Sequence, residues 1–217
     1  RTDPKKRTFQ RFVQEEICAP LGITDLWLGI PDHVEGRIAK LRNDNANDPK
    51  PHPESNFIKS VPLNLQLVPE AFERPDVRRG CIPAVGGIFN ARSSARFWGF
   101  LANGGELSGK RLLSADMVAG FNTPRPDNAA PDPVYFGMPM PLSEAGFWLG
   151  AALPPIAAVK NPKAICCPGA GGSIGWADLD RRISVAICHN RMLNKRGSLD
   201  HPLVPVADAI RTALGIQ

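Results

Sequence analysis

The stretch CCPGAGGSIGWADLDRRISVAICHN, residues 166–190, decides the fold of this chain. Its second part holds two apolar, β-branched runs separated by a short polar stretch. This pattern predicts an antiparallel hairpin, with strands from about Gly172 to Asp178 and from Arg182 to His189 and a tight turn at Leu179-Asp180. Both faces of the second strand are small or apolar, with Ile183, Val185 and Ile187 on one and Ser184, Ala186 and Cys188 on the other. We therefore expect a central strand that is covered on both sides.

Helices and further strands are predicted on both sides of this hairpin. Apolar spacing and capping residues predict helices from Phe9 to about Pro20, from the cap Asn90 to about Asn103, after the cap Ser114, and over HPLVPVADAIRTALG at the end of the chain. Short strands are predicted in GFWLGAAL and AICC. The proline-rich ranges 43–80 and 124–145 read as surface excursions, with a helical turn near Leu67 to Phe72. Helices followed by antiparallel strands indicate an α+β fold, an antiparallel sheet flanked by helices.

Length and composition fit one soluble globular domain, residues 1–217, with 43% apolar and 22% charged residues. The chain opens with Arg1, in RTDPKKRTFQRF, and we expect that it has lost an N-terminal portion. It shows no apolar run of membrane-spanning length, and its five irregularly spaced cysteines favour an intracellular compartment. The formal charge of +5 is scattered in pairs, so we expect no nucleic-acid partner and no membrane partner. The oligomeric state stays open.

Several motifs of other protein classes fit poorly. A G-x-G-x-x-G pattern that starts at Gly169 would require glycine at Ile174, and GGELSGKR has Arg111 where a phosphate-binding loop requires Ser or Thr. Neighbours on a strand point to opposite faces, so Cys166 and Cys167 cannot share one metal ion or form a disulfide with each other. We expect no metal and no cofactor, although a site with one member of each Cys-Cys and Cys-His pair stays open.

A thiol nucleophile is a further alternative. A nucleophilic cysteine needs a base within hydrogen-bond reach. A turn at Leu179-Asp180 would place His189 opposite the region of Ala170, close to Cys167. The sequence equally fits a small buried residue beside a strand histidine.

Three segments, taken in order, resemble the later part of the β-lactamase-related serine hydrolases, which include class C β-lactamases, penicillin-binding proteins and related esterases. They are RTFQRFVQEEICAPLGITD, IPAVGGIFNARSSARFWGFLANGGE and CPGAGGSIGWADLDRRISVAICHNRM. The resemblance covers nearly the whole chain. It implies a β-lactamase/transpeptidase-like fold of which this chain is the C-terminal portion.

The family's chemistry uses Ser-x-x-Lys, Tyr-x-Asn and a strand with Lys-Thr-Gly or His-x-Gly. No serine here is followed by lysine three positions later, and the one tyrosine, Tyr135, lies in VYFGMP. The third motif falls on CPGAGG, so the resemblance implies that the backbone N–H of Ala170 is an oxyanion donor. The same match places the substrate-binding wall at Cys167, Pro168, Gly169, Gly171, Gly172 and Ser173.

The departure at Cys167 affects the expected substrate. A neutral thiol lacks the positive charge with which Lys or His would bind a substrate carboxylate. We therefore expect a small-molecule ester or amide as substrate, with acyl transfer through an acyl-enzyme whose nucleophile lies outside this chain. The alternatives are a catalytically silent domain that binds a ligand or partner through the same pocket, and an enzyme that uses Cys167.

Overall fold

The computed structural model describes residues 2–44, 52–61, 67–150, 159–169, 171–193 and 201–216. Its α-helices are α1 (Phe9–Val13), α2 (Asn56–Ser60), α3 (Pro69–Phe72), α4 (Pro75–Arg79), α5 (Ala91–Ala102), α6 (Ala115–Ala119) and α7 (Leu203–Leu214). Its strands are β1 (Leu26–Leu28), β2 (Arg42–Asn43), β3 (Gly87–Phe89), β4 (Glu106–Leu107), β5 (Lys110–Arg111), β6 (Trp148–Leu149), β7 (Ile165–Pro168), β8 (Ile174–Asp178), β9 (Ile183–Ile187) and β10 (Arg191–Met192).

The largest sheet is antiparallel and has the order β6-β7-β8-β9. Helix α5 packs on one face, across β8 and β9. On the other face, Leu203 and Ala207 of α7 join the side chains of Trp176 and Val185 in one apolar cluster. The sheet is therefore the middle layer between two helices, and its strands direct alternate side chains toward α5 and α7. The predicted α+β architecture is confirmed.

The predicted starts of the helices are confirmed where an N-capping residue defines them. The side chain of Asn90 accepts a hydrogen bond from the backbone N–H of Ser93 and begins α5, and Ser114 begins α6 in the same way through Met117. The first predicted helix is α1, continued by a π-helical turn over Gln14–Cys18. Short polar side chains at these positions satisfy the free N–H groups of the first turn, which is why the sequence locates the starts well.

The hairpin is confirmed, but its predicted turn is wrong. Asp178 pairs with Ile183, so the connection has four residues rather than the two at Leu179-Asp180. The carboxylate of Asp178 is buried, and it accepts hydrogen bonds from both the backbone and the guanidinium of Arg181. The turn folds around this buried acid, and Arg182 closes it with φ 56°. His189 therefore lies beyond β9 at the level of Gly172, not of Ala170.

The second strand of the hairpin is covered on both faces, as predicted, but it is not central. Val185 lies in the cluster with α7, and the Ser184 hydroxyl donates to the carbonyl of Ala95 in α5. In the part of the chain that the structure describes, β9 forms the edge of the sheet. The strand predicted in GFWLGAAL is shorter, with β6 ending at Leu149, and residues 151–153 lie outside the described ranges.

The predicted surface excursions contain short elements. The turn expected near Leu67 to Phe72 is α3, and α2 and α4 lie on either side of it. Small sheets pair β1 with β3, β4 with β5, and β2 in parallel with β10. None of the helices in the described ranges is long and apolar enough to cross a membrane.

Candidate active site

Strand β7 carries the two adjacent cysteines, and the structure separates them as predicted. Cys166 is fully buried in the cluster beneath α7, whereas Cys167 is exposed. Cys167 pairs with Gly175, on the face of the sheet that α5 covers. Strand alternation therefore directs one thiol into the core and leaves the other at the surface.

The outer edge of β7 is open beside Cys167. Strand β6 pairs with β7 only at Ile165 and Cys166. Among the described residues, nothing pairs with Cys167 and Pro168 on that side. An unpaired strand edge presents backbone N–H and C=O groups to any extended group that binds there.

A tight glycine loop follows the open edge. The N–H of Gly169 donates to the carbonyl of Ser173 at 2.7 Å, and the N–H of Gly172 donates to the carbonyl of Gly169 at 3.0 Å. The carbonyl of Gly171 accepts from the N–H of Leu193 at 3.1 Å, which ties the loop to β10. Ala170, the predicted oxyanion donor, lies outside the described residues, so its role stays a prediction.

The rings of His189 and His201 lie close to Gly172 in this loop. Gly172 has φ 103°, and a Cβ atom there would lie 2.6 Å from His201 Nε2 and 3.3 Å from His189 Nε2. Each histidine accepts a backbone N–H at Nδ1, from Arg191 for His189 and from Leu203 for His201. The Nε2 atom of each ring is the one that faces Gly172. Only glycine fits between them, because any side chain would collide with His201.

Ser173 contributes to this structure through its hydroxyl, which accepts the backbone N–H of His189 at 3.2 Å. The structure thus brings Cys167, Pro168, Gly169, Gly171, Gly172 and Ser173 together at the end of β7 and in the loop that follows, which we call the wall. Substrate contact at these six positions stays a prediction.

The thiol-nucleophile alternative finds no support in the electrostatics. Desolvation by its neighbours raises the pKa of the Cys167 thiol, although part of the residue is exposed. Burial lowers the pKa of His189. A thiolate–imidazolium pair requires the opposite shifts, a lowered thiol pKa and a protonated histidine. Both surroundings therefore favour the neutral forms.

Two contacts of β8, the strand that pairs with β7, come from other parts of the chain, and sequence reasoning missed both. The indole of Trp98 in α5 lies directly on β8, where a Cβ atom at Gly175 would be 1.9 Å from Nε1. At the end of the same strand, Asn161 donates to the buried carboxylate of Asp178 at 2.8 Å. The sequence signal for the first contact was Gly175 itself, because a glycine inside a strand often marks a place where another group approaches the backbone closely.

Metal binding finds no cluster to support it within the described ranges. No group of three or more His, Cys, Asp or Glu side chains there is arranged to hold an ion.

Comparison with known proteins identifies the family. The family model named Beta-lactamase matches residues 2–209. The esterase/β-lactamase LipL of Mycobacterium tuberculosis is 36% identical over 124 residues, which are 55% of this chain and 26% of that protein. A family VIII carboxylesterase has a TM-score of 0.69 at 25% identity, over 94% of this chain and 52% of its own. A penicillin-binding protein homologue from Caulobacter crescentus has a TM-score of 0.66 at 28% identity, over 87% of this chain and 48% of its own.

These matches also show how much of the fold the chain contains. It spans about half the length of the two solved relatives and about a quarter of LipL. The predicted β-lactamase/transpeptidase-like fold is confirmed over that part. The chain belongs to the β-lactamase family.

Proposed function

We propose that this chain forms the oxyanion side of the active site of an esterase-type serine hydrolase. The reaction is the cleavage or transfer of the acyl group of a neutral ester or amide through an acyl-enzyme. The chain contributes the wall from Cys167 to Ser173, and the backbone N–H of Ala170 donates to the oxyanion. The Ser-x-x-Lys nucleophile and the Tyr-x-Asn group come from a part of the protein outside these 217 residues.

The observation that carries this proposal is the open edge of β7 beside Cys167. The edge ends in a glycine loop that is closed by hydrogen bonds of Gly169 and Gly172 and lies close to two histidine rings. Acyl transfer needs fixed N–H donors at the position where the carbonyl oxygen becomes negative. A rigid, unpaired backbone segment without bulky side chains meets that need, because the substrate can approach it closely.

The neutral thiol at Cys167 supports a neutral substrate. Neither a thiol nor a thiolate carries a positive charge, so Cys167 cannot form an ion pair with a substrate carboxylate. Its raised pKa favours the neutral thiol, which adds no negative charge to the wall. One similar protein is named a carboxylesterase, and LipL is named both an esterase and a β-lactamase, which supports an ester or amide substrate.

The test uses the full-length natural protein and three measurements. A fluorophosphonate probe, followed by peptide mapping, should label a serine outside these 217 residues. The protein should hydrolyse 4-nitrophenyl butyrate, and Cys167→Lys should raise kcat/KM for a carboxylate-bearing cephalosporin relative to the ester. Met117→Lys is the matched control, because it adds the same charge at an exposed position on α6.

Each result separates the alternatives. A labelled serine within this chain would contradict the assignment of the nucleophile. Absence of both labelling and turnover would favour the catalytically silent binding domain instead. Equal changes in Cys167→Lys and Met117→Lys would remove Cys167 from the substrate wall.

A further inference from the structure

His189 lies where the chain leaves β9 and passes beside the glycine loop, residues 169–173. Its backbone N–H donates to the Ser173 hydroxyl at 3.2 Å, and that hydroxyl donates to the His189 carbonyl at 3.4 Å. Its ring lies against the same loop, since a Cβ atom at Gly172 would be 3.3 Å from His189 Nε2. Both the backbone and the ring of His189 are therefore neighbours of the glycine loop.

The ring of His189 also closes the turn that leads into β10. Its Nδ1 atom accepts the backbone N–H of Arg191 at 3.2 Å. Two residues later, the N–H of Leu193 donates to the carbonyl of Gly171 at 3.1 Å. The turn that the ring closes is thus bonded, through β10, to the middle of the glycine loop. A change at Nδ1 reaches the loop by this route as well as directly at Gly172.

The bond from Arg191 requires a neutral ring. A ring nitrogen accepts a hydrogen bond only when it carries no proton, and both nitrogens of the imidazolium carry one. Protonation would therefore replace the hydrogen bond at Nδ1 by a contact between two donors. It would also place a positive charge beside Gly172, on a ring whose Nε2 atom is buried.

The surroundings of the ring favour the neutral form. Burial has the largest influence on the pKa of His189 and lowers it. The charge of Arg191 on β10 also lowers the pKa, and that of Asp44, its ion-pair partner next to β2, raises it. Across Gly172 the ring faces His201, with the two Nε2 atoms at most about 6 Å apart, so two protonated rings would repel each other.

We propose that His189 is a positioning residue for the oxyanion donor, and that acid disturbs the glycine loop by protonating the His189 ring. This assignment rests on the proposed function, in which the backbone N–H of Ala170 binds the oxyanion, and it adds a regulation of that site. Activity needs the neutral ring. It is lost as the pH falls through the lowered pKa of His189, below the ordinary histidine value of about 6.5.

Two substitutions in the full-length protein separate the acceptor from the charge. His189→Asn keeps an acceptor for the N–H two residues later, as asparagine side chains do in turns, and it is neutral at every pH. His189→Leu has a side chain of similar size without an acceptor. At about pH 7.5, His189→Leu should lower kcat for 4-nitrophenyl butyrate about tenfold, a part of the roughly 100- to 1000-fold that a lost oxyanion donor costs. KM should change less than about twofold, because the oxyanion forms only in the transition state.

The dependence of kcat on pH distinguishes positioning from a merely structural contribution. In the parent, kcat should fall between about pH 7.5 and pH 5 as the ring becomes protonated. His189→Asn should keep kcat close to the parent value at the higher pH. It should reduce the fall toward the lower pH about threefold or more, because its side chain accepts the hydrogen bond at both.

His52 provides the matched control. Its Nδ1 atom accepts the N–H of Glu54 at 3.2 Å, which is the same local arrangement at an exposed site. His52→Asn and His52→Leu should leave kcat and its dependence on pH as they are in the parent.

Hydrogen exchange tests the route through β10 without turnover. At about pH 7.5, the amide of Leu193 should exchange faster in His189→Leu than in His189→Asn or the parent, because β10 is no longer fixed by the ring. Exchange at the same rate in all three proteins would contradict that route.

The outcomes distinguish this inference from the proposed function. If His189→Asn and the parent hydrolyse the ester with the same dependence on pH, the inference is overturned and the proposed function stays intact. This comparison decides the matter even if His189→Leu does not fold. No hydrolysis by the parent would overturn the proposed function, and the oxyanion role of the loop with it.

Discussion

Replacing Gly175 with alanine places a methyl group where the indole of Trp98 lies on β8. The new Cβ atom would be 1.9 Å from Nε1, 2.4 Å from Cδ1 and 2.8 Å from Cε2 of that ring. Ordinary contacts begin near 3.4 Å, so the ring or the strand must retreat by about 1.5 Å. Neither can do so freely, because Trp98 is 6% exposed and α5 packs on both β8 and β9.

The expected loss of stability follows from this displacement. Overpacking of a well-packed core costs about 1–3 kcal/mol, and a collision with a whole indole ring belongs at the upper end. We expect Gly175→Ala to lower the free energy of unfolding by about 3 kcal/mol. For a domain of this size that loss lowers the melting temperature by roughly 6–12 °C.

Urea unfolding and thermal melts of matched variants test the size and the cause. Gly120→Ala is the control, since no atom lies within 4 Å of its added Cβ, and it should be neutral or slightly stabilising. Trp98→Ala should itself be destabilising by about 3–5 kcal/mol because it opens a cavity. In that background Gly175→Ala should cost little, since the cavity accepts the methyl group.

Two results would refute the reasoning. If Gly175→Ala melts within 1 °C of the parent, on the order of the error of the measurement, the contact between α5 and β8 is not tight. If the losses from Gly175→Ala and Trp98→Ala are additive, the destabilisation has a cause other than their collision.

Three further predictions concern the hairpin and the thiols. Val185→Asp should lower the free energy of unfolding by several kcal/mol in a denaturation experiment, because it buries a charge between β9 and α7. Arg182→Asp, at the exposed turn, is the control and should change the free energy of unfolding little. Burial would raise the pKa of Asp178, but hydrogen bonds from its partners outweigh burial and hold the pKa below its ordinary value. The contribution of the Asp178 carboxylate to stability is therefore complete above the pKa of the unfolded chain, about 4, and is lost as the pH falls further. Asp178→Asn should flatten the acid side of a plot of unfolding free energy against pH. An unchanged plot would contradict this role of Asp178. Iodoacetamide should modify the exposed Cys167 before the buried Cys166. The rate at Cys167 should keep rising above about pH 8.5, because desolvation raises the pKa of its thiol. A rate that levels off near neutral pH would show an activated thiolate instead.

The sequence allowed the faces of β9 to be predicted, but not its edges. Apolar residues on both faces of the strand show that two layers cover it, and α5 and α7 do so. Pairing along an edge uses backbone groups, which every residue except proline carries. The side chains of Ile183 to Ile187 therefore hold no information on whether one or two strands lie beside them.

The positions of the predicted site residues depend on distant contacts that a single sequence does not reveal. The six wall residues are neighbours in the chain, so the motif alone predicted that they lie close together. The approach of His201 to Gly172 and of Trp98 to Gly175 joins residues far apart in the chain. Glycine at both positions was a visible signal that something approaches the backbone, but it does not name the partner.

The turn of the hairpin shows why core residues are easier to predict than site residues. The observed connection is two residues longer than the predicted one, and because side chains on a strand alternate with a period of two, Val185 keeps its face toward α7. Cross-strand partners, however, move by two residues, about 7 Å along the strand. That shift takes His189 from the level of Ala170 to that of Gly172, where its backbone N–H donates to the Ser173 hydroxyl of the loop. Burial tolerates such a shift, since any apolar neighbour on the same face will do, whereas proton transfer requires two particular atoms within hydrogen-bond reach.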